Sequence, residues 1–364
     1  MSKLTRFRTE LNALGFDGAI ISCKENQYYL SDFNFDDGYV VVTNKKGYVI
    51  TDSRYEEVAH LALDQNPEFE ILLGGIKSIV EILKNDGCTS VAFEEEHLSV
   101  RTYYYIEGKI TEACGSIIDA KNGAKASSLL TKLRINKTPE EIENIKKAQA
   151  LTDAAFSHLC KVIKRDMTEI EVALELELHM RKNGADGLAF DTIAVNAENS
   201  SRPHGVPSTA KLKDGFLTLD FGARFNGYCS DMTRTVVIGK ADEEMKHLYN
   251  TVLTAQKMAI EAAKYGMKCV DIDKVARDHI YANGYEGKFG HGLGHGVGLF
   301  IHEAPRLSPM AGDDTLDDGH VVTVEPGIYL PGKYGCRIED MIYVNEDKQV
   351  IDLTHSAKEL IELL

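Results

Sequence analysis

The sequence predicts a two-domain α/β protein, and three observations carry that expectation. The chain has 364 residues, too many for one ordinary compact core. Its first part alternates helical and extended patterns, whereas from Thr138 onward an order of two helices followed by a hairpin occurs twice. Between these parts the character changes, through Lys121-Asn122-Gly123 and Arg134-Ile135-Asn136-Lys137. The expected domains are therefore residues 1–125 and 126–364.

In the first domain, Arg6 to Leu14 places apolar residues at helical spacing and stops at Gly15. Gly18-Ala19-Ile20-Ile21 reads as a buried strand. Gly38 to Thr43, the turn Asn44-Lys45-Lys46-Gly47 and Tyr48 to Thr51 read as a hairpin. A further helix, the strand Val91-Ala92-Phe93 and a helix near Tyr103 to Lys109 complete a self-sufficient unit of usual domain size. No chemical constellation stands out in it; Asp36 and Asp37 read as turn residues.

The second domain starts at Thr138-Pro139-Glu140-Glu141, which offers a Thr N-cap, Pro at the first helical position and Glu three residues after the cap. Thr168-Glu169-Ile170-Glu171 repeats the signal, and that helix is expected to end at Asn183-Gly184. A second pair of helices is expected after Asp242 and after Asp271, ending at Gly266 and Gly284. The order helix, helix, hairpin thus spans 139–238 and again 242–344. If the halves pack about a pseudo-twofold, their hairpins face each other.

Composition excludes several classes. A formal net charge of −15 opposes nucleic acid and anionic membrane as partners. No apolar run approaches the roughly 20 residues of a membrane span, and the start Met1 to Arg8 lacks a signal-peptide core, so a cytoplasmic location is expected. The seven cysteines are scattered, without C-x-x-C spacing, which argues against a disulfide framework or thiolate metal site.

Chemistry concentrates in the second domain. Gly290-His291-Gly292-Leu293-Gly294-His295-Gly296 and Ile301-His302-Glu303 gather three histidines among glycines, which permit close approach of backbone and ligand. Asn226-Gly227 is a strong hairpin signal between Phe216–Arg224 and Tyr228–Ile238. Counting from that turn pairs Phe225 with Tyr228, Gly222 with Asp231 and Asp220 with Thr233. Asp220 and Asp231 then become diagonal neighbours on one sheet face, roughly 7–8 Å apart at the backbone. Aspartate is disfavoured inside strands, and two on one face repel unless a cation lies between them. The second hairpin repeats this oddity. Val321–Val324 runs into Glu325-Pro326-Gly327, and Arg337-Ile338-Glu339-Asp340 enters the strand Met341–Val344, so Glu325 and Glu339 occupy positions where core residues are expected. Four carboxylates and at least one imidazole, with no sulfur, suit two divalent first-row ions, Mn²⁺, Co²⁺, Zn²⁺ or Fe²⁺. Such a pair would activate a water and polarise a carbonyl, and the spare histidines would serve an oxyanion or a leaving amine.

These residues closely resemble the dinuclear metallopeptidases of the pita-bread fold, in the Xaa-Pro branch that holds prolidase and aminopeptidase P. The resemblance implies a creatinase-type N-terminal α/β domain followed by a pita-bread (creatinase/aminopeptidase) α+β catalytic domain. It implies two divalent ions per subunit, Mn²⁺ foremost, and hydrolysis of Xaa-Pro dipeptides or short peptides by a metal-bridging hydroxide. In that likeness Asp220 chelates one metal, Asp231 and Glu339 bridge, and His295 and Glu325 bind the second, with Glu325 also assisting deprotonation of the water. His204 and His302 match histidines that act on the tetrahedral intermediate. His291 and Arg337 match pocket residues, Arg337 orienting the bridging carboxylates. Arg306 resembles the cation that prolidases offer to a dipeptide's free carboxylate, and it tips the expectation toward the dipeptidase, although a surface arginine explains that position equally well. The likeness also implies a homodimer. Three rivals share the scaffold. A methionine aminopeptidase would not need the N-terminal domain, creatinase has no metal site, and a non-catalytic binding module would be expected to have lost ligands.

Overall fold

The computed structural model describes residues 1–364, and the chain divides into two compact units, Met1–Arg134 and Ile135–Leu364. No helix is long and apolar enough to cross a membrane.

The first unit is built on a five-stranded mixed sheet, in the order Phe69–Leu73, Gly47–Thr51, Tyr39–Thr43, Gly18–Ile21, Val91–Phe93. The expected hairpin forms, with Val42 opposite Gly47, and the strand Gly18–Ile21 is flanked by an antiparallel and a parallel neighbour. Its four residues are all buried, as a strand central to a helix-covered sheet requires. The first helix spans Lys3–Ala13, starting earlier than its apolar pattern because the Ser2 hydroxyl accepts the Thr5 N–H. The strand Phe69–Leu73 and the helices Lys24–Ser31 and Ala126–Ile135 carry no clear sequence signal. The strand mixes buried and exposed residues at the sheet edge, and its Glu70 breaks the apolar run.

In the second unit both predicted capping boxes are present, and Thr138 and Thr168 start the helices Pro139–Val162 and Glu169–Lys182. The second pair is Glu243–Ala262, capped by Asp242, and Cys269–Ala282. The last helix begins three residues earlier than expected. Its first turn is tied by backbone instead of a capping side chain, Cys269 N–H donating to Asp314 O at 2.8 Å, and Asp271 lies inside the turn.

Each helix pair covers its own sheet. The first pair packs Phe156, Leu159, Leu176 and Met180 against Leu217, Leu219, Phe221, Met232 and Val236. The second packs Leu248, Val252, Ile272 and Ile280 against Val322, Val324, Ile342 and Val344. Because side chains alternate along a strand, the remaining face of each sheet is turned away from its helices. Asp220, Asp231 and Thr233 belong to that face in the first half; Thr323, Glu325 and Glu339 belong to it in the second. The faces meet: Glu339 N–H donates to Thr233 O at 3.1 Å, and the Thr233 hydroxyl donates to Glu339 Oε2 at 2.6 Å. Facing hairpins are thus observed.

The counted register holds without a shift. Phe225 pairs with Tyr228 and Asp220 with Thr233, around a turn in which Asn226 and Gly227 both have positive φ. Between these two ladders the pairing opens at Gly222 and Asp231. A Cβ on Gly222 would stand 1.9 Å from Ser230 O, so only glycine allows the strands to stay this close. The second hairpin opens in the same way. Val324 pairs with Asp340 and Gly327 with Arg337, which leaves Glu325 and Glu339 opposite one another at the break. Gly222→Ala is expected to cost about 3 kcal/mol, at the upper end for overpacking. Urea denaturation measures it, and a loss under about 0.5 kcal/mol would contradict so close an approach.

Candidate metal centre

One cavity of about 480 Å³ is lined by all the sequence-predicted residues: Asp220, Asp231, His295, Glu325 and Glu339, with His204, His291, His302, Arg306 and Arg337. Asp231, Glu325 and Glu339 come from the two ladder breaks, Asp220 from the paired strand Gly215–Phe221, and His295 from the short strand Gly294–Gly296 beside Val321–Val324. Ligand atoms of Asp231, His295 and Glu339 lie within 4.8 Å of one another. His295 Nε2 is 3.6 Å from Asp231 Oδ2 and 3.5 Å from Glu325 Oε1.

Three features fit this set to divalent metal. First, four carboxylates face a single buried guanidinium, that of Arg337, with Nη2 2.6 Å from Asp220 Oδ2. The other Asp220 oxygen is buried without a hydrogen-bond partner. Such an atom is costly unless something else satisfies it. Second, burial, with mutual repulsion added, pushes Asp231 and Glu339 well above the usual carboxylate range, and burial pushes Glu325 up to about 8. Cations between them offset the cost of burying and crowding these charges. Third, His295 Nδ1 donates to Gly296 O at 3.0 Å, so the Nε2 lone pair points at the acids. Burial, and then His302, lowers its pKa to about 4, keeping the ring neutral as a ligand must be.

The other predicted residues divide into two groups. His204, His302 and Arg306 are exposed on the cavity wall. The His302 ring packs 4.3 Å from that of His295, and Arg306 lies directly opposite His295 on the neighbouring strand, with no carboxylate partner. His291 and Arg337, expected as pocket residues with Arg337 steadying the carboxylates, make their hydrogen bonds within the chain. His291 Nδ1 donates to Gly292 O at 2.8 Å and Nε2 accepts from the Tyr329 hydroxyl at 3.0 Å. Arg337 is 3% exposed and its guanidinium is directed at Thr233, Tyr329, Pro203 and Asp220. Both belong to the frame of the cavity, because a buried guanidinium needs fixed acceptors and finds them within the chain.

Thr233, Thr323 and Tyr329 escaped the sequence reading. The Thr323 hydroxyl accepts the His295 N–H at 3.1 Å and stands 3.4 Å from Glu325 Oε1. A signal existed for both threonines: each lies two residues from a predicted acid, on the same strand face. Tyr329 had none. Glu169, seen in sequence only as part of a cap, is buried and accepts from Asn196, Asn199 and Ser208, fixing both ends of the loop that carries His204.

Fold and site together define a protein with an N-terminal α/β domain and a second domain fitted to hold divalent metal. Residues 143–346 match metallopeptidase family M24, residues 3–135 match the creatinase/prolidase N-terminal domain, and the chain belongs to that family. It is therefore a metallopeptidase that uses divalent metal. It is 37% identical to a Xaa-Pro dipeptidase of Pyrococcus furiosus, over 99% of each chain. A solved Xaa-Pro dipeptidase from Bacillus anthracis is 39% identical, with a TM-score of 0.90 and 99% of each chain covered. An X-Pro aminopeptidase from Thermotoga maritima is 35% identical, with a TM-score of 0.87, covering 98% of this chain and all of that one.

The raised carboxylates set a pH dependence. A group whose folded pKa is raised stabilises the metal-free fold below its unfolded value, near 4, and loses that contribution as pH rises through the folded value, about 8 for Glu325. Metal binding, which displaces those protons, should therefore raise Tm more at pH 8 than at pH 5. Calorimetry with and without Mn²⁺ measures this, and an equal rise at both values would contradict control of these protons by burial of the acids.

Proposed function

We propose that this chain hydrolyses Xaa-Pro dipeptides, using two divalent ions held between the facing hairpins. The observation that carries the reading is the convergence of Asp220, Asp231, His295, Glu325 and Glu339 on one cavity whose wall also presents the unpartnered cation Arg306. Full-length relatives named as Xaa-Pro dipeptidases support the substrate class.

Asp220, with its Oδ2 steadied by Arg337, would chelate one ion, Asp231 and Glu339 would be shared between the two, and His295 and Glu325 would hold the second. The all-oxygen-and-nitrogen donor set suits Mn²⁺ foremost, with Co²⁺, Zn²⁺ or Fe²⁺ as alternatives. When bound, the ions bring the pKa of water toward neutrality and polarise the scissile carbonyl. Glu325 takes the proton of the attacking water. His302 and His204 donate N–H hydrogen bonds to the oxyanion, and the proton that Glu325 took passes to the prolyl nitrogen as the C–N bond breaks. Burial, followed by Arg306, lowers the pKa of His302, and a neutral imidazole still has the one N–H this task needs. Arg306 receives the free carboxylate of the dipeptide through charge-assisted hydrogen bonds.

A second reading, an aminopeptidase acting on longer Xaa-Pro peptides, is favoured by the Thermotoga structure. Comparing Leu-Pro with Leu-Pro-Gly separates the two. For the dipeptidase, Arg306→Ala should raise KM for Leu-Pro about 10- to 100-fold, the value of a lost charged hydrogen bond, and change the tripeptide reaction little. Equal damage to both substrates, or a wild-type preference for the tripeptide, removes the dipeptidase assignment. Chelation should abolish turnover and Mn²⁺ restore it. In Asp231→Asn, elemental analysis should find metal lost from both positions; two ions still bound per chain would defeat the bridging role.

A further inference from the structure

Lys137 and Glu303 form an ion pair that has no task in the hydrolysis itself. Lys137 Nζ lies 3.1 Å from Glu303 Oε2, and both side chains are 2% exposed. A pair so deeply buried is screened little, and either charge alone would be costly. The other carboxylate oxygen accepts the Phe300 N–H at 3.2 Å. Gly298 presses on the same group: a Cβ there would stand 2.6 Å from Oε2 and 2.8 Å from Oε1. The segment 298–303 is therefore folded around one anion. Its far end is tied to the first hairpin, where Cys229 N–H donates to Gly298 O at 2.8 Å. Lys137 is held independently, its backbone N–H donating to Gly319 O at 3.0 Å and Thr138 capping the following helix.

His302 is the residue before Glu303 and sits on this segment. Unlike His291 and His295, it is exposed and its ring nitrogens have no hydrogen bond in the chain; its ring only packs on His295. Where that imidazole points is thus decided by the backbone beneath it, and the backbone is shaped around the carboxylate. We propose that the Lys137–Glu303 ion pair is a positioning device for His302, locking the segment 298–303 so that the imidazole faces the reacting carbonyl. The inference rests on the reading of His302 as a substrate-contacting residue.

The test uses the full-length, Mn²⁺-loaded enzyme on Leu-Pro. Lys137→Met takes the ammonium from a buried carboxylate and can fail to fold, so the decisive variant is Lys137→Met/Glu303→Gln, which removes both charges at nearly constant volume. It should lower kcat about 10- to 100-fold, the scale of a misplacement near 1 Å, and leave KM within about threefold and metal stoichiometry unchanged. Lys137→Arg should recover most of the rate. In a His302→Gln background the double change should slow turnover by less than about twofold, because the residue it positions is already gone. Unchanged kcat in the double variant, or losses that multiply with those of His302→Gln, would overturn the positioning role alone. If His302→Gln by itself leaves kcat unaltered, the reading of His302 fails, and this inference falls with it.

Discussion

The catalytic unit is organised around the repulsion among four largely buried carboxylates on the wall of one cavity. Asp231 and Glu339 are almost fully buried, and Asp220 and Glu325 are little more exposed. The Arg337 guanidinium pairs with Asp220 alone, so the other three acids can ionise together only when a cation joins them. Burial of uncompensated charge is among the most expensive arrangements in a protein. The groups around the acids reduce that cost only in part: Arg337 and Thr233 satisfy single oxygens, and one Asp220 oxygen has no partner at all. Divalent cations complete the arrangement, and family membership agrees with that conclusion.

The backbone makes this concentration of charge possible by repeating one device. In each half a helix pair buries one face of a sheet, which leaves the other face free to carry polar groups. Each hairpin then opens its ladder where three of the four acids stand, at Gly222/Asp231 and at Glu325/Glu339, without losing register. Opening the ladder frees side chains to converge, and keeping the register holds them on the face opposite the helices. Arg234 secures the arrangement from behind. It is 1% exposed, donates to the carbonyls of Thr233 and Glu339, and pairs with Asp340 Oδ1 at 2.7 Å. One buried cation thus ties together the two strands that present Asp231 and Glu339.

The cavity wall follows a different logic. His204, His302 and Arg306 lie on exposed segments, and two of those segments are shaped around buried carboxylates, Glu169 for one and Glu303 for the other. Reactive groups stay accessible while their supports are inaccessible. His291 and Arg337 show that a residue lining the cavity can also be held by it. Both line the cavity, yet Tyr329 bonds to each and turns them into framework.

Much of this was legible in the sequence, because the relevant signals are local. Asn226-Gly227 defines a turn, counting outward from it places Asp220 opposite Thr233, and acids at strand positions betray a cation. The capping boxes at Thr138 and Thr168 mark helix starts for the same reason: the partners are three residues apart. Other features depend on contacts between residues distant in sequence, which no local pattern encodes. The strand Phe69–Leu73 exists because Gly47–Thr51 lies beside it, and the helix at Cys269 begins where Asp314 supplies an acceptor. Tyr329 and the pairing of Lys137 with Glu303 have no signature either. The sequence by itself determined which residues bear the charge and on which strand face they lie, since strand periodicity is a property of neighbouring residues. Only the tertiary structure decided which polar groups face the substrate and which hold the others in place, because that depends on what each one meets across the interior.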